Sequence, residues 1–194
     1  MFAATPRTAS AALATALAAA VLTLPAPTSA AAKPCLLGQW RLTGYTLDAK
    51  GPGSFTTARG AQGIRLTVTR KSVAYDFDGA RKLVVKGRSD GEKYELRTTY
   101  RKRLTLKSTL KGTKKGTLAL KAKSAKGGAT AAVVRNGAPV ITYNLAQSVY
   151  RQGEWEPVAP LRSSYTCTGK TARLRMTHTD ESGTGTIVMT YRRL

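Results

Sequence analysis

Beyond residue 32 the chain alternates. In GIRLTVTR, Ile64, Leu66 and Val68 fall on one side of an extended strand, with Arg65, Thr67 and Thr69 on the other. That is the period of two expected of a half-buried β-strand. SVAYDFD, GTLALKAK, PVITYNLA, SSYTCTG, TARLRMTH and GTIVMTYRR carry the same alternation. The dipeptides Asp78-Gly79, Asp90-Gly91 and Asn136-Gly137 offer residues that tolerate positive φ, and each reads as a tight hairpin turn. KGTKKGT and KSAKGGAT read as flexible hairpin ends. Only NLAQSVYRQ has helical spacing, with Leu145, Ala146, Val149 and Tyr150 forming a short stripe. No internal repeat or linker divides the chain. The pattern predicts an all-β fold, a single antiparallel up-and-down β-barrel of about ten strands.

The first residues break this pattern because they are built for export. Arg7 supplies a positive start, Ala11 to Leu24 is apolar and uncharged, and PAPTSAAA adds a breaker and small residues suited to a signal peptidase. An apolar run this short falls below the roughly 20 residues that span a bilayer. Cleavage is expected after Ala30, Ala31 or Ala32. Lys33 and Pro34 stand where lipidation of Cys35 would need small uncharged residues, so the product is expected to be soluble, extracellular and monomeric. The division is residues 1–32 as signal peptide and 33–194 as the barrel domain. Removing 32 of 194 residues leaves about 160, enough for one domain with a real core.

The mature start reads CLLGQW, and the two cysteines of an exported chain are expected to pair, Cys35 with Cys167. Gly38-Gln39-Trp40, followed by the alternating RLTGYTL, resembles the G-x-W signature of the first lipocalin strand. The resemblance implies that Trp40 plugs one barrel end and that a basic residue of the last strand, Arg192 or Arg193 in MTYRRL, packs across its ring. PCLLGQWRLT together with YTCTGKTARLRMT and the terminal YRR is also similar to secreted actinobacterial lipocalin-like proteins, whose two cysteines occupy the first strand and a late one. A small apolar ligand inside the barrel is then implied, faced by Tyr94, Leu96, Tyr100 and Tyr143.

Charge adds a second candidate surface. The chain has 32 Lys and Arg against 10 Asp and Glu, a net charge of +22, of which the leader carries only Arg7. Such an excess favours anionic partners and leaves the fold undetermined. Sixteen lysines and arginines lie between Arg81 and Lys126, against Asp90, Glu92 and Glu95. Tyr94, Leu96, Tyr100, Leu104, Leu106 and Leu110 hold even positions, while Arg97, Arg101, Arg103 and Lys107 hold odd ones. After a glycine turn, Leu118 and Leu120 oppose Lys121 and Lys123. Lys102 breaks the phase and predicts a bend. These cations therefore form one outer wall, suited to an anionic envelope polymer or lipid headgroups. Stacking of nucleobases needs aromatic rings on the basic face. Tyr94 and Tyr100 point the other way, which excludes sequence-specific nucleic acid.

Catalysis finds little support. His178 is the only histidine and lies beside TDESGTG, where it reads as an exposed turn residue. Glu154 and Glu156 flank Trp155, and Asp76 and Asp78 flank Phe77. On a strand such pairs lie roughly 6.5–7 Å apart, within the carboxylate spacing of inverting glycosidases. Gly153, Pro157 and Gly79 put both pairs in turns, and they read as solvated acids. DFDG lacks the later ligands of a calcium loop. No metal, cofactor or catalytic residue is expected. The rival readings are a carboxylate-dependent hydrolase and a barrel-type protease inhibitor acting through the arm before Cys35.

Overall fold

The computed structural model describes residues 32–152, 156–181 and 183–194. The leader through residue 31, and Glu154 and Trp155 of the first carboxylate pair, lie outside the described residues. Thirteen strands follow one another: β1 (Gly38–Gly51), β2 (Ser54–Gly60), β3 (Arg65–Val68), β4 (Ser72–Asp76), β5 (Leu83–Ser89), β6 (Glu92–Arg101), β7 (Arg103–Gly112), β8 (Lys115–Leu120), β9 (Thr130–Arg135), β10 (Ala138–Asn144), β11 (Arg162–Cys167), β12 (Thr171–Asp180) and β13 (Gly183–Arg193). A 3-10 turn covers Ala122–Ser124, and helix α1 covers Leu145–Gln152.

Eight strands close an antiparallel barrel in the order β1-β13-β12-β11-β8-β7-β4-β3, with β3 returning to β1. The other five continue outward from β1 in the order β2-β5-β6-β9-β10. The alternation suggested about ten strands in one barrel; the structure has eight closing strands and five outer ones. The difference arises because three stretches each serve both parts. Strands β2 and β3 run in succession along β1, opposite Thr46–Gly51 and Gly38–Arg41 respectively. Strands β4 and β5 run along β3 and β2 in the same way, and β7 and β6 run along β4 and β5.

Each break has a backbone cause. Between β2 and β3, Gly60, Ala61 and Gly63 take φ of 120°, 59° and 96°. Between β6 and β7 a single residue bends the chain, Lys102 at φ 63°, where the break in phase predicted it. Asp78-Gly79 makes the third step. It is a bend joining β4 to β5 and not the expected hairpin, since those strands do not pair. Asp78 Oδ1 accepts the Lys102 N–H at 2.9 Å, tying two bends together. Asp90-Gly91 and Asn136-Gly137 do close hairpins, β5–β6 and β9–β10.

Side chains fill the closed part. Leu66, Val73, Tyr75, Phe77, Leu104 and Leu118 are almost completely buried, as are Leu174, Met189 and Tyr191. In β1 a bulge between Leu42 and Gly44 shifts the inward set from Trp40 and Leu42 to Tyr45 and Leu47. An extra residue in one strand has this effect because side chains alternate with a period of two. Helix α1 forms where its stripe predicted. The Asn144 carboxamide oxygen accepts the Gln147 N–H at 2.9 Å as an N-cap. Leu145, Ala146 and Val149 are buried, while Tyr150 faces outward.

Cys35 and Cys167 are joined in a disulfide, with Cα atoms 6.0 Å apart and a sequence separation of 132. The β7–β8 turn is bound to both. The Cys35 N–H donates to the Thr113 carbonyl at 2.9 Å and the Cys167 N–H to the Lys114 carbonyl at 2.8 Å. The lysine-rich KGTKKGT end is therefore anchored to the disulfide.

Candidate functional site

Trp40 stands at the disulfide end with no exposed surface, and its indole N–H donates to the Leu36 carbonyl at 2.8 Å. The Arg193 guanidinium lies 4.2 Å from the ring centroid. It also donates to the carbonyls of Leu37 at 3.0 Å, Cys35 at 2.6 Å and Gly169 at 2.7 Å. Of the two candidate arginines, Arg193 covers the ring and Arg192 is exposed. Gly38 has φ 124°, and a Cβ there would lie 2.6 Å from the guanidinium. A side chain would displace the arginine. This constellation ties the first strand, the last strand and the β11–β12 turn together at one end of the barrel.

The four residues nominated as ligand-facing sit on outer strands β6 and β10, not inside the closed barrel. Tyr94 shares a 2.7 Å hydrogen bond with Thr56 and lies over Gly87, which has room for its ring only because it lacks a Cβ. Leu96 is half-buried. Tyr100 and Tyr143 converge on Glu156, donating to its two carboxylate oxygens at 2.7 and 3.3 Å. The Tyr45 hydroxyl donates to the neighbouring Pro157 carbonyl at 3.2 Å.

Glu156 is therefore not the solvated acid its Gly- and Pro-rich surroundings suggested. It is 5% exposed, and burial pushes its carboxyl above the usual range against the opposing pull of the two tyrosine hydroxyls. Burial, reinforced by the nearby carboxylate, holds Tyr100 well above the ordinary phenol value. No reading of residues 153–160 by local pattern revealed this, because the partners come from β6 and β10. Asp76 and Asp78 do not act as a facing pair: Asp76 Oδ1 accepts the Asp78 N–H at 3.0 Å and Asp78 is committed to Lys102.

His178 lies on strand β12 and not at a hairpin tip. Its Nε2 is 2.8 Å from Asp180 Oδ2, with both side chains about half exposed. Among the described residues no three histidine, cysteine, aspartate or glutamate side chains gather as metal ligands. No helix among them is long and apolar enough to cross a membrane.

The predicted cationic residues are all exposed, and the tertiary structure sorts them. Arg97 is on the outer sheet, where it and Lys86 hold Glu95 at 2.6 and 3.3 Å. The hydrogen bond from Arg97, with that from Lys86, keeps the Glu95 carboxyl below its ordinary value. Part of the positive charge there is offset. Arg101 and Arg103 flank the bend at Lys102. Lys107, Lys121 and Lys123 instead meet in a groove of about 650 Å³ that also takes in Arg70, Lys71 and Lys126. No aspartate or glutamate lines it.

Backbone bonds hold these cations together against their repulsion. The Ser108 N–H donates to the Lys71 carbonyl at 2.9 Å, and the Lys121 N–H to the Lys107 carbonyl at 2.9 Å. Ser124 Oγ accepts the Lys107 N–H at 2.7 Å and donates to the Lys121 carbonyl at 2.6 Å. Lys123 Nζ rests 4.9 Å from the centroid of Tyr150, which secures it to α1. The KSAKGGAT stretch, expected as a flexible end, is thus tied down and contributes a groove wall. Arg70, Lys71 and Lys126 were missed because two lie in the β3–β4 turn and one follows the 3-10 turn. Strand phase carries no information at such positions.

The fold and site together define a disulfide-closed antiparallel β-barrel with outer strands and a lysine-lined external groove. No known protein family, curated protein or solved structure matches this chain significantly.

Proposed function

We propose that this protein is an exported, non-catalytic binding module whose partner is an anionic polymer of the cell envelope, engaged through the outer wall. The observation that carries the reading is the groove of Arg70, Lys71, Lys107, Lys121, Lys123 and Lys126 without a carboxylate in its lining. Like charges gathered in one groove raise the local potential, and the backbone bonds hold the segments that carry them in place before an anion binds. The packing of the barrel weighs against an apolar ligand in its closed part. A smaller cavity of about 330 Å³ at the opposite mouth, faced by Leu47, Met176 and Ile187, is where that second reading would have to operate.

Retention on an immobilised polyanion, with uptake of a fluorescent fatty-acid analogue in parallel, tests the reading across a salt series. Exposed charges are screened beyond roughly 8 Å at physiological ionic strength. Polyanion binding is expected to fall steeply with salt and to be abolished by Lys107→Glu with Lys121→Glu. Fatty-acid uptake that survives both perturbations, without polyanion retention at low salt, would favour the mouth cavity. Retention on anionic vesicles alone would assign the wall to lipid headgroups.

A further inference from the structure

The lysine groove is not isolated. Thr109, at its edge, also lines a second groove of about 880 Å³ whose cations are Lys111, Arg162 and Arg175. Thr117, Ser164 and Arg175 are in turn shared with a third of about 530 Å³, which adds Lys115 and Arg173. The first two grooves cross β4, β7, β8, β11 and β12, strands that are neighbours in the sheet, and the third continues along β8, β11 and β12 toward Lys115 and Arg173. None contains an aspartate or glutamate. Four inter-strand steps of about 4.8 Å from β4 to β12 make the cross-strand part of the track roughly 20 Å long.

The cations change along the track, from mostly lysines in the first groove to Arg162, Arg173 and Arg175 with Lys111 and Lys115 in the other two. Between them Thr105, Thr109, Thr117, Ser164, Thr166 and Thr177 supply hydroxyls, alongside apolar Leu106, Leu118, Leu161 and Met176. Two aromatic side chains line the grooves. Tyr165 is 2% exposed, and its hydroxyl donates to the Lys111 and Gly112 carbonyls, while the His178 imidazole lies at one margin and is paired with Asp180. No phenylalanine, tyrosine or tryptophan ring offers a base an exposed stacking platform among the lining residues. Five of the six cations in the first groove are lysines, point charges that bind phosphate without the planar fork arginine offers to carboxylates. Recognition here falls on the charge of a polymer backbone and on its ester oxygens.

Resting on the polyanion reading above, we infer that the three grooves form one continuous track that holds a single linear phosphate-chain polymer, which crosses the strands and then turns along them. The chain enters beside the β3–β4 turn and leaves between Lys115 and Arg173. Binding therefore depends on polymer length until the track is spanned.

The test uses inorganic long-chain polyphosphate, inorganic triphosphate and polyglutamate of matched length, titrated into the exported protein by calorimetry at physiological salt. Lys115→Glu with Arg173→Glu alters only the far end of the track. With about fivefold in affinity per cation beside an anionic surface, this pair is expected to weaken long-chain polyphosphate at least tenfold and to leave triphosphate unchanged. Lys115→Gln with Arg173→Gln gives the same ordering with a smaller loss, and unchanged thermal unfolding of both variants excludes misfolding. If the far-end variants bind long-chain polyphosphate as the parent does, there is no track, and the lysine groove stands alone. Polyglutamate binding as tightly as polyphosphate would overturn the phosphate assignment. Undiminished binding by Lys107→Glu with Lys121→Glu would instead remove the polyanion reading itself.

Discussion

Truncating Trp40 probes the disulfide end of the barrel most directly. A buried tryptophan removes about 200 Å² from water, which at about 25 cal/mol per Å² is roughly 5 kcal/mol. That area is an upper bound because unfolded chains already bury some surface. Trp40→Ala is therefore expected to cost about 4–5 kcal/mol, within the range for large core aromatics. Trp40→Phe retains most of the packing but leaves the buried Leu36 carbonyl without the indole donor, a loss of about 1–3 kcal/mol. Arg193→Met keeps the aliphatic stem and removes the charge above the ring. A double-mutant cycle between Trp40→Ala and Arg193→Met should return a coupling of about 0.5–2 kcal/mol. Urea unfolding followed by circular dichroism, with the disulfide intact, measures all three. A loss under about 1 kcal/mol for Trp40→Ala, or additive costs in the cycle, would show that the ring and the guanidinium do not fasten the barrel as a unit.

Two further outcomes follow from the interior. Glu156 has a raised folded-state pKa, so it contributes its full stability below the ordinary carboxylate range and loses it as pH rises through the raised value. Glu156→Gln should then match the parent near pH 4 and unfold at higher urea near pH 8, and parallel stability profiles across that range would refute a carboxyl whose titration burial shifts upward. Replacing Cys35 and Cys167 together by serine opens the loop closed across 132 positions. The chain-entropy model sets the cost at about 5 kcal/mol, to be read from denaturant midpoints against the oxidised parent; a cost under about 1 kcal/mol would mean that the loop ends are already held by other contacts.

The sequence by itself determined the all-β class, the burial phase of the barrel strands it singled out and the pairing of two cysteines; PVITYNLA failed, because β10 is an edge strand whose Val140 and Ile141 are exposed. Alternation is a local property, and Leu104, Leu106 and Leu118 carry their orientation in their parity. RLTGYTL reads as simple alternation, whereas a bulge in β1 shifts the inward set from Trp40 and Leu42 to Tyr45 and Leu47, and only the pairing with β13 shows it. Lys102 announced its bend by falling out of phase. Parity cannot say which strands pair, however, so the division into eight closing and five outer strands appeared only in the tertiary structure. Asp78-Gly79 has the composition of a hairpin turn, yet the Lys102 N–H holds it as a step from the closing strands to the outer ones of the same sheet.

The site divides in the same way. Exposure of Lys107 could be read from phase, but β8 ends at Leu120, short of the GTLALKAK alternation, so Lys121 and Lys123 at the 3-10 turn are exposed for reasons strand parity does not carry. Their meeting with Arg70, Lys71 and Lys126 depends on two turns brought together by the β4–β7 pairing and the Ser124 hydrogen bonds. Glu156 reverses its expected character for a related reason. Solvation is decided by what surrounds a side chain in space, and Tyr100 and Tyr143 reach it from 56 and 13 positions away.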